Sequence, residues 1–433
     1  MNRAYRARIC CVAAALLAMA HAAGAQQAAP APDALTLRGA VQRAVERSPD
    51  VRKARAELDV ALRASGLRRS VFLPNLFTGT DVAYSRGFPL GAPQVFNLSY
   101  QQTVFDGPKR GEFRAAQARA EIQRLEADRV RDAVIVRTAA AFLELQQLRK
   151  ALASLRIETE SAARILDVTR ERAKEGLELP IEITRAELTL ARVKQRLVQS
   201  EGRAERLEDD LRLLLGLASG APLLLAEDTL PRAAEQPVPE LVAMAVENSA
   251  AVKQAELERR AREHRLRGEK SGYLPTLELV GQYGIFSRTN NYDDFYVTFE
   301  RHNVTVGLRA RIPIFSATRA AQVSLAQSEL QSGTLDVERR RAEVETEARA
   351  QARRARELDS AQDVARLEHK LAQQNLAVLQ AQFDEGRLNL RELERARLEE
   401  HDRWRAFLDA QIAQQKAQLE ILRSTGQLAK LFQ

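Results

Sequence analysis

Apolar residues recur at alternating three- and four-residue spacings through long stretches of the chain. One series of ten positions keeps this spacing, and nine of the ten are apolar: Ile183, Ala186, Leu190, Val193, Leu197, Ser200, Ala204, Leu207, Leu211 and Leu214. Leu145, Leu148, Leu152 and Leu155 keep the same spacing on the preceding segment. This pattern predicts coiled-coil helices. The break between Gly176 and Pro180 is short, so it predicts an antiparallel hairpin with its tip at 176–182.

Proline and glycine are missing from the segments that this pattern covers. There is no proline from Lys109 to Leu179 and no glycine from Glu112 to Glu175. A stretch from Pro108 to Gly176 that is rich in Ala, Leu, Arg and Glu predicts one helix, roughly 100 Å long at 1.5 Å per residue. A second hairpin is expected to have its tip at 386–392.

Four shorter segments alternate instead with a period of two, apolar on one side and polar on the other. They lie at about 72–84, 95–105, 274–286 and 297–315. Such alternation predicts strands. An ordinary soluble sheet packed on helices would alternate in the same way. Ten-residue strands that are apolar outside and polar inside also suit a transmembrane β-barrel, and four strands are too few to close one, so that interpretation requires several copies.

The chain contains an internal duplication. The segment Glu46–Val51 resembles Glu247–Val252 at an offset of 201, and Gly176 corresponds to Gly386 at an offset of 210. The extra nine residues lie between the strands of the second half, where an insertion marks a surface loop. We therefore divide the chain into a first repeat (35–215), an equatorial linker segment (216–239) and a second repeat (240–433).

The half-length helices are expected to stack in pairs beside the full-length ones. The helix that leads to Leu274 is predicted to continue the return helix from Pro180 to about Leu215. The helix from Thr36 to about Arg69 is predicted to continue the C-terminal helix, which runs from Leu388 to about Thr425. This arrangement would close the chain into a quasi-symmetric bundle.

The N-terminus has the three parts of a secretory signal. Arg3, Arg6 and Arg8 precede the apolar run Ile9–Ala20, and Ala23–Ala25 has the small residues of a cleavage site. These features predict a signal peptide at 1–25 followed by a linker at 26–34. An uncleaved anchor is the alternative. The apolar run of 12 residues is too short for a mature membrane-spanning helix.

Composition narrows the range of possible functions further. The chain has 433 residues, is 45% apolar and 29% charged, and has a net charge of +8. A basic chain suits nucleic acid or anionic membranes, but export argues against a nucleic-acid partner. The only cysteines are Cys10 and Cys11, so disulfide, Cys-zinc and Cys-nucleophile chemistry are excluded from the rest. No metal, phosphate-loop or catalytic spacing occurs, which predicts no cofactor, no metal and no enzyme activity.

The order of elements resembles the TolC-type outer-membrane efflux protein family. The resemblance covers nearly the whole chain beyond the signal and rests on "FLPNL" and "YLPTLEL" before the strands, "FDGPKR" and "FSATR" after them, and "EGLELPIE" and "EGRLNLRE" at the tips. It implies an α+β membrane protein that forms a homotrimer, with a 12-stranded β-barrel in outer-membrane lipid. A periplasmic α-helical coiled-coil barrel would continue it in a Gram-negative cell.

The resemblance also implies a function and partners. The expected function is the passive exit duct of a tripartite efflux or type I secretion system. An inner-membrane pump (RND or ABC type) and a periplasmic adaptor, or membrane fusion protein, would open it at its tip. The alternative is a periplasmic coiled-coil adaptor or scaffold without a pore. An exported enzyme has no residue constellation to support it.

Both tips keep an acidic residue six positions after the glycine, namely Glu182 and Glu392, and an arginine nine positions after it, namely Arg185 and Arg395. In a trimer each acid would form a ring of three carboxylates, which favours cations. The resemblance assigns Glu182 and Glu392 to the periplasmic gate and adds Phe383 and Arg387. Other members can carry a second acid where this chain has Arg395. The alternative is that these residues form ordinary i,i+3 surface pairs.

Small and apolar residues at the tips are candidates for adaptor contact. They are Gly176, Leu177, Leu179, Gly386, Leu388 and Leu390. The alternative is that these side chains pack within their own hairpins.

Overall fold

The computed structural model describes residues 34–80, 94–230, 236–286 and 300–432. The predicted signal peptide, nearly all of the 26–34 linker and parts of two predicted strands (81–84 and 297–299) lie outside these ranges. The first half contains α1 (Leu37–Arg47), α2 (Pro49–Ser70), β1 (Asn75–Gly79), β2 (Gln94–Phe105), α3 (Gly107–Lys174) and α4 (Pro180–Leu214). The second half contains α5 (Val238–Asn248), α6 (Ala250–Ser271), β3 (Thr276–Phe286), β4 (His302–Arg311), α7 (Ala317–Asp384), α8 (Leu390–Ser424) and α9 (Leu428–Phe432).

The duplication is visible in the helix lengths. The long helices α3 and α7 have 68 residues each, and the return helices α4 and α8 have 35 each. The offset between their first residues is 210 in both cases (317 − 107 and 390 − 180). The helices α1 and α5 have 11 residues and α2 and α6 have 22, with an offset of 201 (238 − 37 and 250 − 49).

Each predicted half-length helix ahead of the strands is in fact two helices. In the first half the break is at Ser48, which has φ −54° and ψ 132° because Pro49 restricts the residue before it. At the corresponding break in the second half, Ala250 stands in place of the proline. There the hydroxyl of Ser249 caps α6 by accepting a hydrogen bond from the N–H of Val252 at 3.3 Å.

The stacking of half-length helices is the reverse of the prediction. Helix α4 ends against the α1–α2 junction, where a Cβ built on Gly216 would lie 3.0 Å from Cβ of Arg47. Helix α8 ends against the α5–α6 junction, where Nδ2 of Asn248 donates to the carbonyl of Thr425 at 3.0 Å. Thus α2 continues α4 and α6 continues α8. The helix that leads to Leu274 and the helix from Thr36 to about Arg69 have similar lengths, so length alone did not show which return helix each one continues.

The helices form four adjacent columns in the order α2/α4, α3, α6/α8 and α7. Helix α3 packs on both composite columns, whereas α7 packs on α6 and α8 within the chain. The largest core cluster lies at mid-height, where side chains of α1, α3, α4, α8 and α9 meet around Phe142, Leu145 and Leu419. No helix in the described part of the chain is long and apolar enough to span a membrane.

The four strands form one antiparallel sheet in the order β1-β2-β3-β4. Apolar positions align across it, as in the row Leu76, Tyr100, Gly281 and Val306, whereas the row Phe77, Ser99, Gln282 and Thr305 is mostly polar. The sheet therefore has one apolar-leaning face. Strand β4 ends at Arg311, earlier than the predicted 315, because Pro313 has no N–H for the ladder.

Candidate functional site at the hairpin tips

The two tips share one backbone motif. Gly176 and Gly386 have φ 76° and 74°, a conformation that glycine adopts without a Cβ penalty. After the first glycine the N–H of Leu177 donates to the carbonyl of Arg172 at 2.9 Å, and after the second Arg387 donates to Gln382 at 2.9 Å. These bonds cap the long helices as Schellman motifs. The motif turns each chain segment back within a few residues.

The return helices begin differently. Helix α4 starts with Pro180, whose missing N–H suits the first helical turn, and its N-cap Leu179 offers no side-chain hydrogen bond. Helix α8 is capped by Asn389, whose Oδ1 accepts from the N–H of Glu392 at 2.9 Å. The tips are therefore alike in backbone but not in side-chain chemistry.

A cluster of charged side chains joins the two tips. Nη2 of Arg391 lies 2.8 Å from Oε1 of Glu178, and its Nη1 lies 3.5 Å from Oε2 of Glu182. Arg172 contacts Glu178 at 3.4 Å, and Arg185 pairs with Glu182. We call these five residues the tip cluster. Because Arg391 is on the second hairpin and both acids are on the first, the cluster links the hairpins of one chain.

The other predicted gate residues lie outside this cluster. Glu392 is exposed, and within the described residues its carboxylate forms no ion pair; the same is true of the exposed Arg395. Arg387 is exposed and pairs with Glu385 at 3.3 Å, and Phe383 is half-buried. The i,i+3 surface pair considered above thus forms at Glu182–Arg185 and not at Glu392–Arg395. The structure brings Glu182 and Arg185 together and leaves the other four apart.

The apolar tip residues also differ between the hairpins. Leu177 is 63% exposed and Leu179 is 68% exposed, whereas Leu388 and Leu390 are half-buried. Both tip glycines are exposed. The first tip therefore presents free apolar surface, and the second tip covers part of its own.

Above the tips a polar seam separates the two hairpins. Oγ of Ser154 on α3 is 2.8 Å from Nδ1 of His401 on α8, and Nη1 of Arg405 is 3.1 Å from Oε1 of Glu158. Glu158 is only 1% exposed. Its burial raises the pKa of the carboxyl, although Arg405 opposes the shift. No group of three or more His, Cys, Asp or Glu in the described ranges is arranged to hold a metal ion.

Sequence reasoning missed Arg391, Glu178, Glu158 and Arg405. The residues that both halves share at the tips directed the prediction, and Arg391, Glu178 and Arg405 are not shared. Arg391 corresponds to Ile181 in the first half, and Glu158 corresponds to Glu368 but meets a different partner. A search for charges that occur in one repeat only would have found Arg391.

Comparisons with known proteins show which family and which fold the chain is similar to. The family described as "Outer membrane efflux protein" matches residues 40–217. The outer membrane protein TolC of Escherichia coli is 26% identical over 65% of this chain and 59% of its own length. Protein CyaE of Bordetella pertussis is 25% identical over 69% of this chain and 64% of its own length. The chain thus aligns with about six tenths of these relatives.

The fold has a close match among solved structures. The CmeC outer membrane channel of Campylobacter jejuni superposes with a TM-score of 0.75 at 15% identity and covers 90% of this chain and 85% of CmeC. The shared fold is that of channels with helical barrels, mostly helical with few strands. Taken together, residues 40–217 match the outer membrane efflux protein family, the relatives are similar over about two thirds of the chain, and the fold is that of solved outer membrane channels. The family match and the relatives support a location in the outer membrane that extends into the periplasm.

Proposed function

We propose that the protein is a passive outer-membrane exit duct that serves a tripartite efflux or type I secretion system. The observation that supports this best is that the sheet and the layer of helices in one chain both have open edges. Within the described residues, strands β1 and β4 each pair with one neighbouring strand, and α7 packs mainly on one side, against α5, α6 and α8. A second copy of the chain can pair with the open strand edge and pack on the open side of α7 at the same time. Unpaired strand edges are not stable in lipid, so closure by further copies is required there.

Three copies are the number that the family resemblance implies. Three sheets of four strands make a 12-stranded barrel, with lipid as the partner of the apolar face. Val304 and Val306 on β4 are 68% and 77% exposed, which suits that face. The helical columns below would surround a tunnel through the periplasm.

The tips are proposed as the gate of this duct. In a trimer the tip cluster would occur three times around the axis and hold each second hairpin against the first. Glu392, which is exposed, would provide a free ring of carboxylates. The exposed Leu177 and Leu179 offer apolar surface to a periplasmic adaptor. An inner-membrane pump coupled to that adaptor would supply the energy, and the duct itself would perform no catalysis.

The alternative function, a periplasmic adaptor or scaffold without a pore, fits less well. Adaptors have one helical hairpin, and this chain has two that are related by the duplication. A four-stranded sheet with two open edges also needs a partner that an isolated scaffold would not provide.

The test is the native mass of the detergent-extracted protein together with its conductance in a planar lipid bilayer. A complex of three chains from the outer-membrane fraction that conducts ions would support the duct. A monomer or dimer in the periplasmic fraction, without conductance, would support the adaptor instead.

A further inference from the structure

The polar face of the sheet changes character along the length of β3 and β4. At the end far from the helices, one row across the four strands is uncharged and consists of Gly79, Asn97, Gly284 and Asn303. Within the described strands, the charged residues of this face lie at the other end, close to the helices. They are Glu278 on β3 and Arg309 and Arg311 on β4. The polar face is therefore neutral over most of its length and charged where the helices begin.

Arg309 and Arg311 differ in their surroundings. Arg309 lies directly opposite Glu278 in the strand register, and its Nη1 is 3.8 Å from Oε2 of that carboxylate. Arg311 lies opposite Thr276, is exposed, and forms no ion pair within the described residues. Because Glu278 offsets the charge of Arg309, the described polar face keeps the positive charge of Arg311.

The first repeat has a strand pair at the same position without this charge. An offset of 210 relates Arg311 to Gln101, and an offset of 201 relates Thr276 to Asn75. Asn75 and Gln101 face each other in the β1–β2 register, as Thr276 and Arg311 do in the β3–β4 register. A strand pair of this geometry thus forms with glutamine in place of arginine. The sheet does not need the positive charge of Arg311 in order to form.

The position of Arg311 in the proposed duct gives this charge a role. The apolar face of the sheet meets lipid there, so the polar face borders the lumen, and copies related by rotation about the axis place their Arg311 side chains at one height. We infer that these arginines form a cationic ring at the base of the sheet-lined lumen, and that the ring favours anionic solutes over cations. Rings of charged side chains set ion preference in this way, with arginine or lysine in pores for anions. The inference rests on the proposed duct, because the ring needs several copies around one axis.

The ring and the exposed carboxylate of Glu392 lie at opposite ends of the long helices. The duct then has two charged rings of opposite sign in series, an acidic one at the tips and a basic one at the base of the sheet. An anionic group on the solute is the feature that Arg311 recognises, whereas the tips favour cations.

Simple electrostatics gives the size of the effect. Three unit charges that each lie about 10 Å from the axis, in water at about 0.1 M salt, change the local ratio of monovalent anions to cations by about fivefold. At about 1 M salt the Debye length is about 3 Å, and the same ring has almost no effect. Dependence on salt therefore distinguishes a charged ring from a change in the width of the lumen.

Exchanging residues between the two repeats tests the ring. Arg311→Gln gives the second repeat the residue of the first, and Gln101→Arg does the reverse. Reversal potentials in a planar bilayer at about 0.1 M salt give the permeability ratio of anions to cations. We expect this ratio to fall about fivefold in Arg311→Gln and to rise by a similar factor in Gln101→Arg, and both differences to disappear at about 1 M salt. Thr305→Gln, an uncharged change on the same face, is the matched control and should leave the ratio unchanged.

A thiol beside Arg311 reports the same charge in detergent-extracted protein, without any conductance. Thr276→Cys is suitable because Thr276 faces Arg311 and the chain has no cysteine after Cys11. Two methanethiosulfonate reagents, one bearing a sulfonate and one a trimethylammonium group, are compared for their rates of reaction with this thiol. Adding Arg311→Gln should lower the ratio of the anionic to the cationic rate by about threefold, because it removes a unit charge at about 6 Å.

Three results would overturn the inference. The first is a permeability ratio that neither Arg311→Gln nor Gln101→Arg changes at about 0.1 M salt. The second is a change that persists at about 1 M salt, since it would then come from the width of the lumen. The third is a thiol at position 276 that reacts with neither reagent, because the polar face would then be closed to water. If the unaltered protein does not conduct, the proposed duct fails instead, and the thiol rates still decide whether this face is open to water and positively charged.

Discussion

Arg391 of the second hairpin lies 2.8 Å from Glu178 of the first, so one side chain joins the two tips of a single chain. Arg391 also reaches Glu182 at 3.5 Å, and both carboxylates are mostly buried. Its counterpart in the other repeat is Ile181, which cannot form such a link. The two tips therefore have the same backbone and different electrostatics.

We expect Arg391→Ala to increase the conductance of the channel in a planar bilayer. The substitution leaves Glu178 and Glu182 with one arginine partner each and removes the contact between hairpins. Arg395→Ala is the matched control, since Arg395 is exposed and forms no ion pair within the described residues. Equal conductance of the two variants would contradict the prediction that Arg391 holds the two tips together.

Ion selectivity should depend more on Glu392 than on Glu182. Glu182 already faces Arg185 and Arg391, whereas Glu392 has a free carboxylate in the described structure. A free ring of acids attracts cations more strongly than a neutralised one. Reversal potentials in a salt gradient should therefore shift toward anions in Glu392→Gln and change little in Glu182→Gln. The opposite order would show that Glu392 does not line the pore.

The buried pair Glu158–Arg405 should show strong coupling in a double-mutant cycle. Arg405→Met leaves a buried carboxylate without its partner, which typically costs about 3–5 kcal/mol. Glu158→Leu combined with Arg405→Met removes both charges and should recover most of that loss. Thermal unfolding followed by circular dichroism measures the difference. Arg366→Met is the control, because its pair with Asp363 is exposed and is expected to contribute about 0–1 kcal/mol. Additive single effects would contradict the coupling.

Acid sensitivity should depend on Glu144, which lies between α4 and α8. Burial raises the pKa of this carboxyl, but hydrogen bonds from Lys416 and Arg203 outweigh burial and hold the pKa below its ordinary value of 4.5. A lowered pKa stabilises the folded state above pH 4.5, and that contribution is lost as the pH falls through the folded value. Glu144→Gln should therefore flatten the acid side of the stability profile below pH 4.5.

Asp132→Asn provides a control of opposite sign. Burial raises the pKa of Asp132 above its ordinary value of 3.8, so this carboxyl favours folding at low pH and loses that contribution as the pH rises from 3.8 through the raised value. Asp132→Asn should therefore make the stability of the folded state fall more steeply as the pH is lowered. Identical pH profiles for the two variants and the unaltered protein would refute both assignments.

The close approach of α3 and α6 should not tolerate a methyl group. A Cβ on Gly111 would lie 2.6 Å from Cα of Gly268 and 2.9 Å from the carbonyl oxygen of His264. Gly111→Ala should cost about 1–3 kcal/mol as the helices separate. Gly66→Ala is the control, because no atom lies within 4 Å of its Cβ and alanine in a helix gains about 0.5–1 kcal/mol over glycine. A stable Gly111→Ala protein would contradict this packing.

Local pattern was enough to locate most helices and strands. The seam from Ile183 to Leu214 is the helix α4, and the alternation from 95 to 105 is the strand β2. These features depend on side-chain period and on glycine and proline, which act within a few residues. The break at Ser48–Pro49 was also readable, because proline constrains the residue before it, yet the segment from Thr36 to about Arg69 was predicted as one helix.

The sequence did not show which helices and side chains contact each other, because those contacts depend on which surfaces meet in space. The sequence determined two repeats of matched helices, two hairpins and strands with one apolar-leaning face. The tertiary structure decided that α2 continues α4 and that Arg391 meets Glu178 rather than solvent. Residue spacing specifies which side chains share one face of a helix, but the packing of the whole helical columns decides which partner helix meets that face. Charged residues that only one repeat carries, such as Arg391, form a contact only when those columns have packed together.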